Sequence, residues 1–455
     1  MAAEDPAPAP DPLATMRSRR FIVLLVLASL VGVVASIVAW AFLELLHGIQ
    51  QFVYTDLPQD LGFDSAPRWW SLPVLAIAGV ITAFAIARLP GRGGHVPANG
   101  LNPAPTRPIE VPGVMLAALA GVGLGVVLGP EAPLIAMGGA LGLLTVDLLR
   151  RDVPDEVGAL MAASATLAAL SFLFGSPLIA AVIIIEVAGL GGTRLPLVLI
   201  PGLLASGIGS LVWIGLGSFT GLSTSDISIS LLKLPAFSQP DIADFGWTIL
   251  LAAAVAIVTF VIFRLAAETQ RFAARRPFLV LPIVGVAVAG LAIGFSEAAD
   301  KSVSYVLFSG QDSIGPLVSS AGSWSLSALA LVIVFKGVAY GLSLGSFRGG
   351  PTFPAMFLGA AGGVMAAKLP GFDLTPAVGV GIAAGVASVL RLPLSATLLG
   401  VLFTESGGPG ASPLIIVGVV VAYLVTIHLG AGRGTTSSAP ATSPAPPAPA
   451  ARVPT

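Results

Sequence analysis

Gly129-Pro130-Glu131-Ala132-Pro133, closed by Gly138, recurs in outline as Gly350-Pro351-Thr352-Phe353-Pro354, closed by Gly359. Both copies read Gly-Pro-x-x-Pro-x-x-x-x-Gly, and both continue as Ala-x-Gly, at Ala140 and Gly142 and again at Ala361 and Gly363. A second matched pair lies downstream: Pro177-Leu178-Ile179-Ala180 against Pro393-Leu394-Ser395-Ala396. Proline removes a backbone donor and glycine a side chain, so each copy interrupts an apolar segment at the same place. Such breaks, at matching positions in two halves, point to a substrate site built from discontinuous membrane helices. The first copy alone carries a carboxylate, Glu131.

The composition agrees. Of 455 residues, 55% are hydrophobic and 10% charged, where a soluble domain has roughly a quarter charged. Mean hydropathy is +0.95. Apolar runs long enough to span a bilayer, or nearly so, cover Phe21–Leu46, Leu72–Ala87, Val111–Leu128, Leu195–Gly217, Trp247–Phe263, Phe278–Phe295, Trp324–Gly345 and Ser412–Gly430. Shorter pieces at Leu134–Val146, Leu178–Ile185, Ala355–Ala367 and Leu394–Phe403 suit half-helices. The alternation of a barrel strand is missing. The expected fold is therefore an all-α polytopic membrane protein with many tilted, broken and half-spanning helices. Its 54 glycines and 37 prolines allow close packing and frequent breaks, which survive in lipid where protein or a water-filled cavity satisfies the freed backbone groups. A net charge of −1 points away from a nucleic-acid partner, and the absence of cysteine excludes disulfides, thiolate catalysis and cysteine-ligated metals. His47, His95 and His428 are not spaced as a metal site. No cofactor or metal is expected, and the composition makes the lipid bilayer a partner.

Residues 1–19 are expected to form a disordered cytoplasmic N-terminus, and the Ala/Pro-rich stretch 431–455 a disordered tail. Between them, 20–430 forms the transmembrane domain, with repeat halves at about 72–217 and 278–430. Arg17, Arg19 and Arg20 before the first span place the N-terminus in the cytoplasm of the cell membrane. Asp56, Asp60 and Asp64 put the following loop outside, with Trp69 and Trp70 as an interfacial anchor. Arg264, Arg271, Arg275 and Arg276 mark a cytoplasmic link between the halves.

Few ionisable residues fall within or beside the apolar segments: chiefly Glu44, Glu131, Asp147, Glu186, Lys336, Arg391 and Glu405. Each costs a few kcal/mol near a helix centre unless it faces protein or water. Glu131 sits inside the Gly-Pro break, just before a short apolar run. Free N–H groups and the dipole at a half-helix N-terminus favour an anion. A carboxylate can occupy that site itself, then swing out or take a proton to admit a mobile anion. A lone glutamate at a helix start commonly serves as a cap; the matched second break favours a functional role.

These residues resemble the CLC family of voltage-gated chloride channels and chloride/proton antiporters, as a bacterial-type member with no appended soluble domain. The likeness runs over roughly residues 20–430. Gly129-Pro130-Glu131-Ala132-Pro133 is similar to the family's Gly-Lys/Arg-Glu-Gly-Pro, which puts Glu131 at the gating glutamate. Gly350-Pro351-Thr352-Phe353-Pro354 is similar to Gly-x-Phe-x-Pro, with Thr352 at the usual Phe position. Gly93-Gly94-His95-Val96-Pro97 stands where the family has Gly-Ser-Gly-Ile-Pro. Phe174-Gly175-Ser176-Pro177-Leu178 through Glu186 resembles Asn-Ala-Pro-Leu…Glu-Glu, and Arg391-Leu392-Pro393-Leu394 matches Arg-Ala-Pro-Leu. The resemblance implies a CLC-like inverted repeat and a homodimer in which each subunit has its own anion path. The anion-binding positions it implies are Gly94, His95, Pro130, Ala132, Thr352 and Phe353.

Departures from the family pattern alter the expected chemistry. Gly94 replaces the serine whose hydroxyl would coordinate the central anion, and no tyrosine follows the last span. Backbone N–H groups must then do more of the coordination, and selectivity for chloride weakens. Pro130 replaces the basic neighbour of the gate, a loss that His95 could offset. The internal proton acceptor of the antiporters falls at Val187, which carries no proton, beside Glu186, whose expected role is structural.

The main expectation is a passive, glutamate-gated channel for chloride or a similar anion. An anion/proton antiporter (chloride, nitrate or fluoride) using Glu131 and perhaps Glu186 is the alternative. A cation transporter would present several intramembrane carboxylates. An intramembrane enzyme lacks support: the sequence has no catalytic constellation, neither His-Glu-x-x-His nor Gly-x-Ser-x-Gly.

Overall fold

The computed structural model describes residues 16–102, 104–149, 155–189, 195–220 and 232–430. The expected N-terminal and C-terminal disordered segments, 1–15 and 431–455, lie outside the described residues. Ser18 caps the first helix, α1 (Arg19–Gln51), by accepting from the Phe21 N–H, so regular structure already begins at the last residues of the expected disordered segment. At 33 residues α1 is about 50 Å long, more than a bilayer's hydrocarbon core, and must tilt. It runs on through a π-turn at Phe52–Asp56 and one further turn, Leu57–Asp60.

Helix α2 (Ser71–Arg88) leads into 3-10 turns at Pro90–Gly93 and Pro97–Asn99, then α3 (Val111–Gly121). The expected span Val111–Leu128 stops early. After Gly121 the chain is irregular to Pro130, with Gly125 at φ +106° and the Leu124 carbonyl accepting from the Tyr54 hydroxyl at 2.8 Å. The break thus begins well upstream of Gly129. Helix α4 (Glu131–Leu149) is correspondingly longer than the expected half-helix, and α5 (Asp155–Phe174), α6 (Pro177–Val187) and α7 (Leu195–Thr220) follow.

An Asp241/Asp244 capping box opens α8 (Ile242–Arg275), and α9 (Pro277–Ala299) starts after a single turn residue. Arg264, Arg271 and Arg275 therefore lie on a helix rather than in a link. The remaining helices are α10 (Gln311–Ser319), α11 (Leu326–Ser346), α12 (Thr352–Ala366), α13 (Leu374–Leu390), α14 (Pro393–Phe403) and α15 (Ser412–Gly430). Among the described residues, nine helices are long and apolar enough to cross a bilayer.

Packing follows the repeat. In the first half α4 lies on α5, α5 on α6 and α7, and α6 on α7; in the second α12 lies on α13, α13 on α14 and α15, and α14 on α15. Counterparts also meet across the halves, α2 against α9 and α6 against α14. The repeated glycines mark the closest approaches. A Cβ at Gly138 or Gly142 would strike the α5 backbone at Thr166 or Ala162; one at Gly359 or Gly363 would strike α13 at Gly381 or Ala377. Small residues let membrane helices approach this closely, so dispersion and backbone contact replace the hydrophobic drive that lipid does not supply. Helix α13 is the most enclosed, with every residue from Thr375 to Val389 buried, and α12 packed on it is buried along most of its length.

Candidate functional site

The two Gly-Pro breaks are joined directly. Gly129 and Gly350 form an isolated antiparallel bridge, with the Gly129 N–H donating to the Gly350 carbonyl at 2.7 Å and the return bond at 2.6 Å. Glycine at both positions leaves the room that the Glu131 carboxylate fills, since a Cβ on either would overlap it. The bridge sets the start of α4 against the start of α12. Helix α12 has no side-chain cap of its own, since Pro351 stands at its N-cap. Glu131 reaches across from the other half, and its Oε1 accepts the Thr352 N–H at 2.5 Å. Its Oε2 is buried without a hydrogen-bond partner.

The surrounding wall is tight. Thr352 and Phe353 are buried, and Phe353 stacks on Phe174, with ring centroids 5.8 Å apart at 25°. The Tyr340 hydroxyl, fully buried in α11, donates to the Pro351 carbonyl at 2.5 Å. A tyrosine is therefore present next to the second break, but its proton is committed to the backbone.

On one side of this closure lies a cavity of about 700 Å³. Gly94, His95, Ala132 and Pro133 line it, together with Arg92, Glu110 and Arg348. Ala274, near the arginine-rich end of α8, also borders it. Gly94 holds φ +98°, and a Cβ there would press on both Val114 methyls at 3.3 Å. Burial, above all, and the nearby Arg348 cation lower the His95 pKa from its ordinary 6.5. Pro130 is buried at the break; Thr352 and Phe353 are not among the cavity's lining residues.

Glu186 and Val187 lie elsewhere. Helix α14 also lacks a side-chain cap of its own. Glu186, at the end of α6, supplies one: Oε1 accepts from Leu394 N at 2.8 Å, and Oε2 from Ser395 N at 2.7 Å and Ser395 Oγ at 2.6 Å. Both first-half glutamates thus cap half-helices of the second half. Glu186 is fully engaged, while Glu131 makes one such bond and leaves an oxygen unpaired.

Lys336 has a different environment. Its Nζ donates to the Val306, Leu307 and Phe308 carbonyls at 3.1–3.2 Å and lies 4.6 Å from the Phe357 ring centre. These contacts pin the turn before α10. Arg348 went unmarked in the sequence. Its signal was a lone cation directly before Gly349-Gly350-Pro351, the position at which the first copy carries none.

A matched pair of helix breaks, closed by a carboxylate at one half-helix N-terminus, defines an ion-transport class of membrane protein. The family model described as "Voltage gated chloride channel" matches residues 99–427, and the chain belongs to that family, the CLC family. A relative from Salmonella choleraesuis (strain SC-B67), named "Putative ion-transport protein YfeO", is 28% identical over 359 residues, covering 76% of this chain and 80% of its own. Its namesake from Salmonella schwarzengrund (strain CVM19633) is 29% identical over 364 residues, with the same coverage. Among solved structures, a slow cyanobacterial Cl⁻/H⁺ antiporter superposes with a TM-score of 0.71 at 19% identity, over 90% of this chain and 95% of that one. A CLC-type fluoride/proton antiporter gives 0.65 at 18%, over 89% and 95%. At such identities the solved structures speak to the fold alone.

Proposed function

We propose that this protein carries chloride or a similar small inorganic anion across the cell membrane through a path gated by Glu131, without stoichiometric proton exchange. The observation that carries the reading is the contrast between the two trans-capping glutamates. Glu186 is held by three donors, whereas Glu131 is held by one and keeps Oε2 bare. An anion arriving at α12 can take over the Thr352 N–H, and the displaced carboxylate sacrifices one bond rather than three. Gly94, His95 and Ala132 line the approach, Pro130 shapes the break, and Thr352 and Phe353 form the receiving helix start.

The uncoupled character rests on Val187 and on the engagement of Glu186, which leaves no free internal carboxylate at the position the antiporters use. The second reading is an anion/proton antiporter for chloride, nitrate or fluoride, the kind of activity carried by the two solved neighbours that share this fold. Under either reading the N-terminus is cytoplasmic, the cavity opens to the arginine-rich cytoplasmic side, and the protein works as a homodimer that performs transport and no catalysis. Flux of chloride, fluoride and nitrate from proteoliposomes, with internal pH recorded at once, tests both. Anion flux with flat internal pH supports the channel, linked proton movement the antiporter, and no flux of any anion rejects both.

A further inference from the structure

We propose that Arg348 forms a fixed-charge station for a small monovalent anion in the cavity beneath the Glu131 closure. This deepens the transport reading and rests on it.

Arg348 lines the cavity together with Gly93, Gly94 and Ala132. Its aliphatic stem lies along Gly93, where an added Cβ would come within 3.4 Å of Arg348 Cγ. Nη1 is tied back to its own turn, donating to the Phe347 carbonyl at 3.0 Å and to the Ser346 carbonyl at 3.4 Å. Nε is buried with no partner. Nη2 makes no hydrogen bond to protein, and no carboxylate lies within ion-pair distance of the guanidinium among the described residues.

A guanidinium is charged at any physiological pH and has five donors to satisfy. Burying one without an acid is costly unless something else compensates. An unpaired buried donor of this kind calls for an explanation, and a bound anion supplies one. The remaining charged groups on the cavity are Arg92 and Glu110, with the Glu110 carboxylate turned to the Arg107 N–H at 3.4 Å. They offset each other formally, so Arg348 sets the sign of the cavity and draws anions to it. A full charge beside Gly93 thereby takes the place of the hydroxyl absent at Gly94. The basic residue missing beside the first break reappears before the second.

The test uses the full-length protein in detergent and, in parallel, in proteoliposomes. Calorimetric titration with sodium chloride and sodium nitrate should show binding to the wild type. Arg348→Met keeps most of the stem packing and removes the charge; it should weaken binding by roughly tenfold or more and raise the half-saturating anion concentration for flux to match. Arg348→Lys should stay within about threefold of wild type, because a compact cation still fits. Should Arg348→Met fail to elute as a folded species, phenylglyoxal labelling of the wild type read by peptide mass spectrometry replaces it, with Arg348 protected by chloride or nitrate. Wild-type affinity and half-saturation in Arg348→Met, or labelling of Arg348 indifferent to the anion, would overturn the station while leaving transport standing. Binding that depends on Arg348 in a wild type that moves no anion would sink the transport reading and leave the station.

Discussion

Glu131 and Thr352, in opposite halves of the repeat, share a hydrogen bond of 2.5 Å from carboxylate oxygen to backbone nitrogen, which closes the start of α12. The donors at a helix start suit any anion, and a carboxylate tethered nearby competes with a mobile one for the same N–H groups. Opening then requires the side chain to lose its charge or its place. Glu131→Gln retains an oxygen that can accept from Thr352 but loses the charge. Anion flux should persist in this variant and become independent of pH, whereas wild-type flux should rise as pH falls and the carboxylate is protonated. Radiolabelled or electrode-measured efflux between pH 4.5 and 7.5 decides; a wild-type pH profile in the glutamine variant would rule Glu131 out as the gate.

Gly350 offers an independent handle on the same closure. A Cβ there would overlap the carboxylate carbon and both oxygens of Glu131. The backbone has little room to yield, because Gly350 is paired twice with Gly129. Gly350→Ala should therefore expel the side chain and give flux at pH 7.5 close to that of Glu131→Gln. If the alanine variant folds and keeps wild-type pH dependence, the carboxylate has another resting place.

The architecture was legible wherever glycine and proline did the writing. Both breaks, the repeated glycines Gly138/Gly142 and Gly359/Gly363 and the asymmetric Glu131 could be read directly from the sequence, while the partners of those glycines could not. Helices α5 and α13 could not, because their composition hides them. Segments such as Ala162-Ala163-Ser164-Ala165 and Gly379-Val380-Gly381-Ile382-Ala383-Ala384-Gly385 trade bulk for close approach, although α5 as a whole is no less apolar than α4. Yet the first is among the most enclosed candidate spans, with 78% of its window buried. Hydropathy finds helices that face lipid, while the enclosed ones are chosen for fit. Arg348 escaped for a related reason: an isolated arginine beside a glycine pair gains meaning only once the cavity it faces is known.

Lys336 illustrates a buried charge with a structural task. Its three carbonyl partners come from consecutive residues, Val306 to Phe308, and Phe308 holds the left-handed conformation at φ +59°. Lys336→Met would fill the space but leave those carbonyls without their donor. The expected cost is about 2–4 kcal/mol, read as a lowered Tm of the detergent-solubilised protein. Arg348→Met and Glu131→Gln should shift the Tm much less. An unchanged Tm in Lys336→Met would show that the turn holds itself.

Gly94 cannot simply be restored to serine. Its φ of +98° disfavours any side chain, and a Cβ would press on Val114 at 3.3 Å. Gly94→Ser alone should lower the Tm, by an amount corresponding to about 1–3 kcal/mol. Combined with Val114→Ala, which opens the space the new Cβ needs, the serine should move the chloride/nitrate permeability ratio toward chloride. A ratio unmoved in the folded double variant would mean that the position does not face the anion.

Proton coupling is the last question the geometry bears on. An antiporter needs a titratable group that connects the gate to the cytoplasm, and the motif resemblance puts that position at Val187. Glu186 is adjacent, but neighbouring helix positions point about 100° apart, and its oxygens are spent on Leu394 and Ser395. Glu186→Gln retains one acceptor and turns the other into a donor facing donors. It should therefore lower the Tm, at a cost of about 1–3 kcal/mol, and slow flux no more than the loss of folded protein explains. Wild-type liposomes given an outward anion gradient, with voltage clamped by an ionophore, should show anion efflux and flat internal pH. Sustained uphill proton uptake in the wild type, abolished in a stably folded Glu186→Gln, would instead make Glu186 a proton carrier and the protein an antiporter.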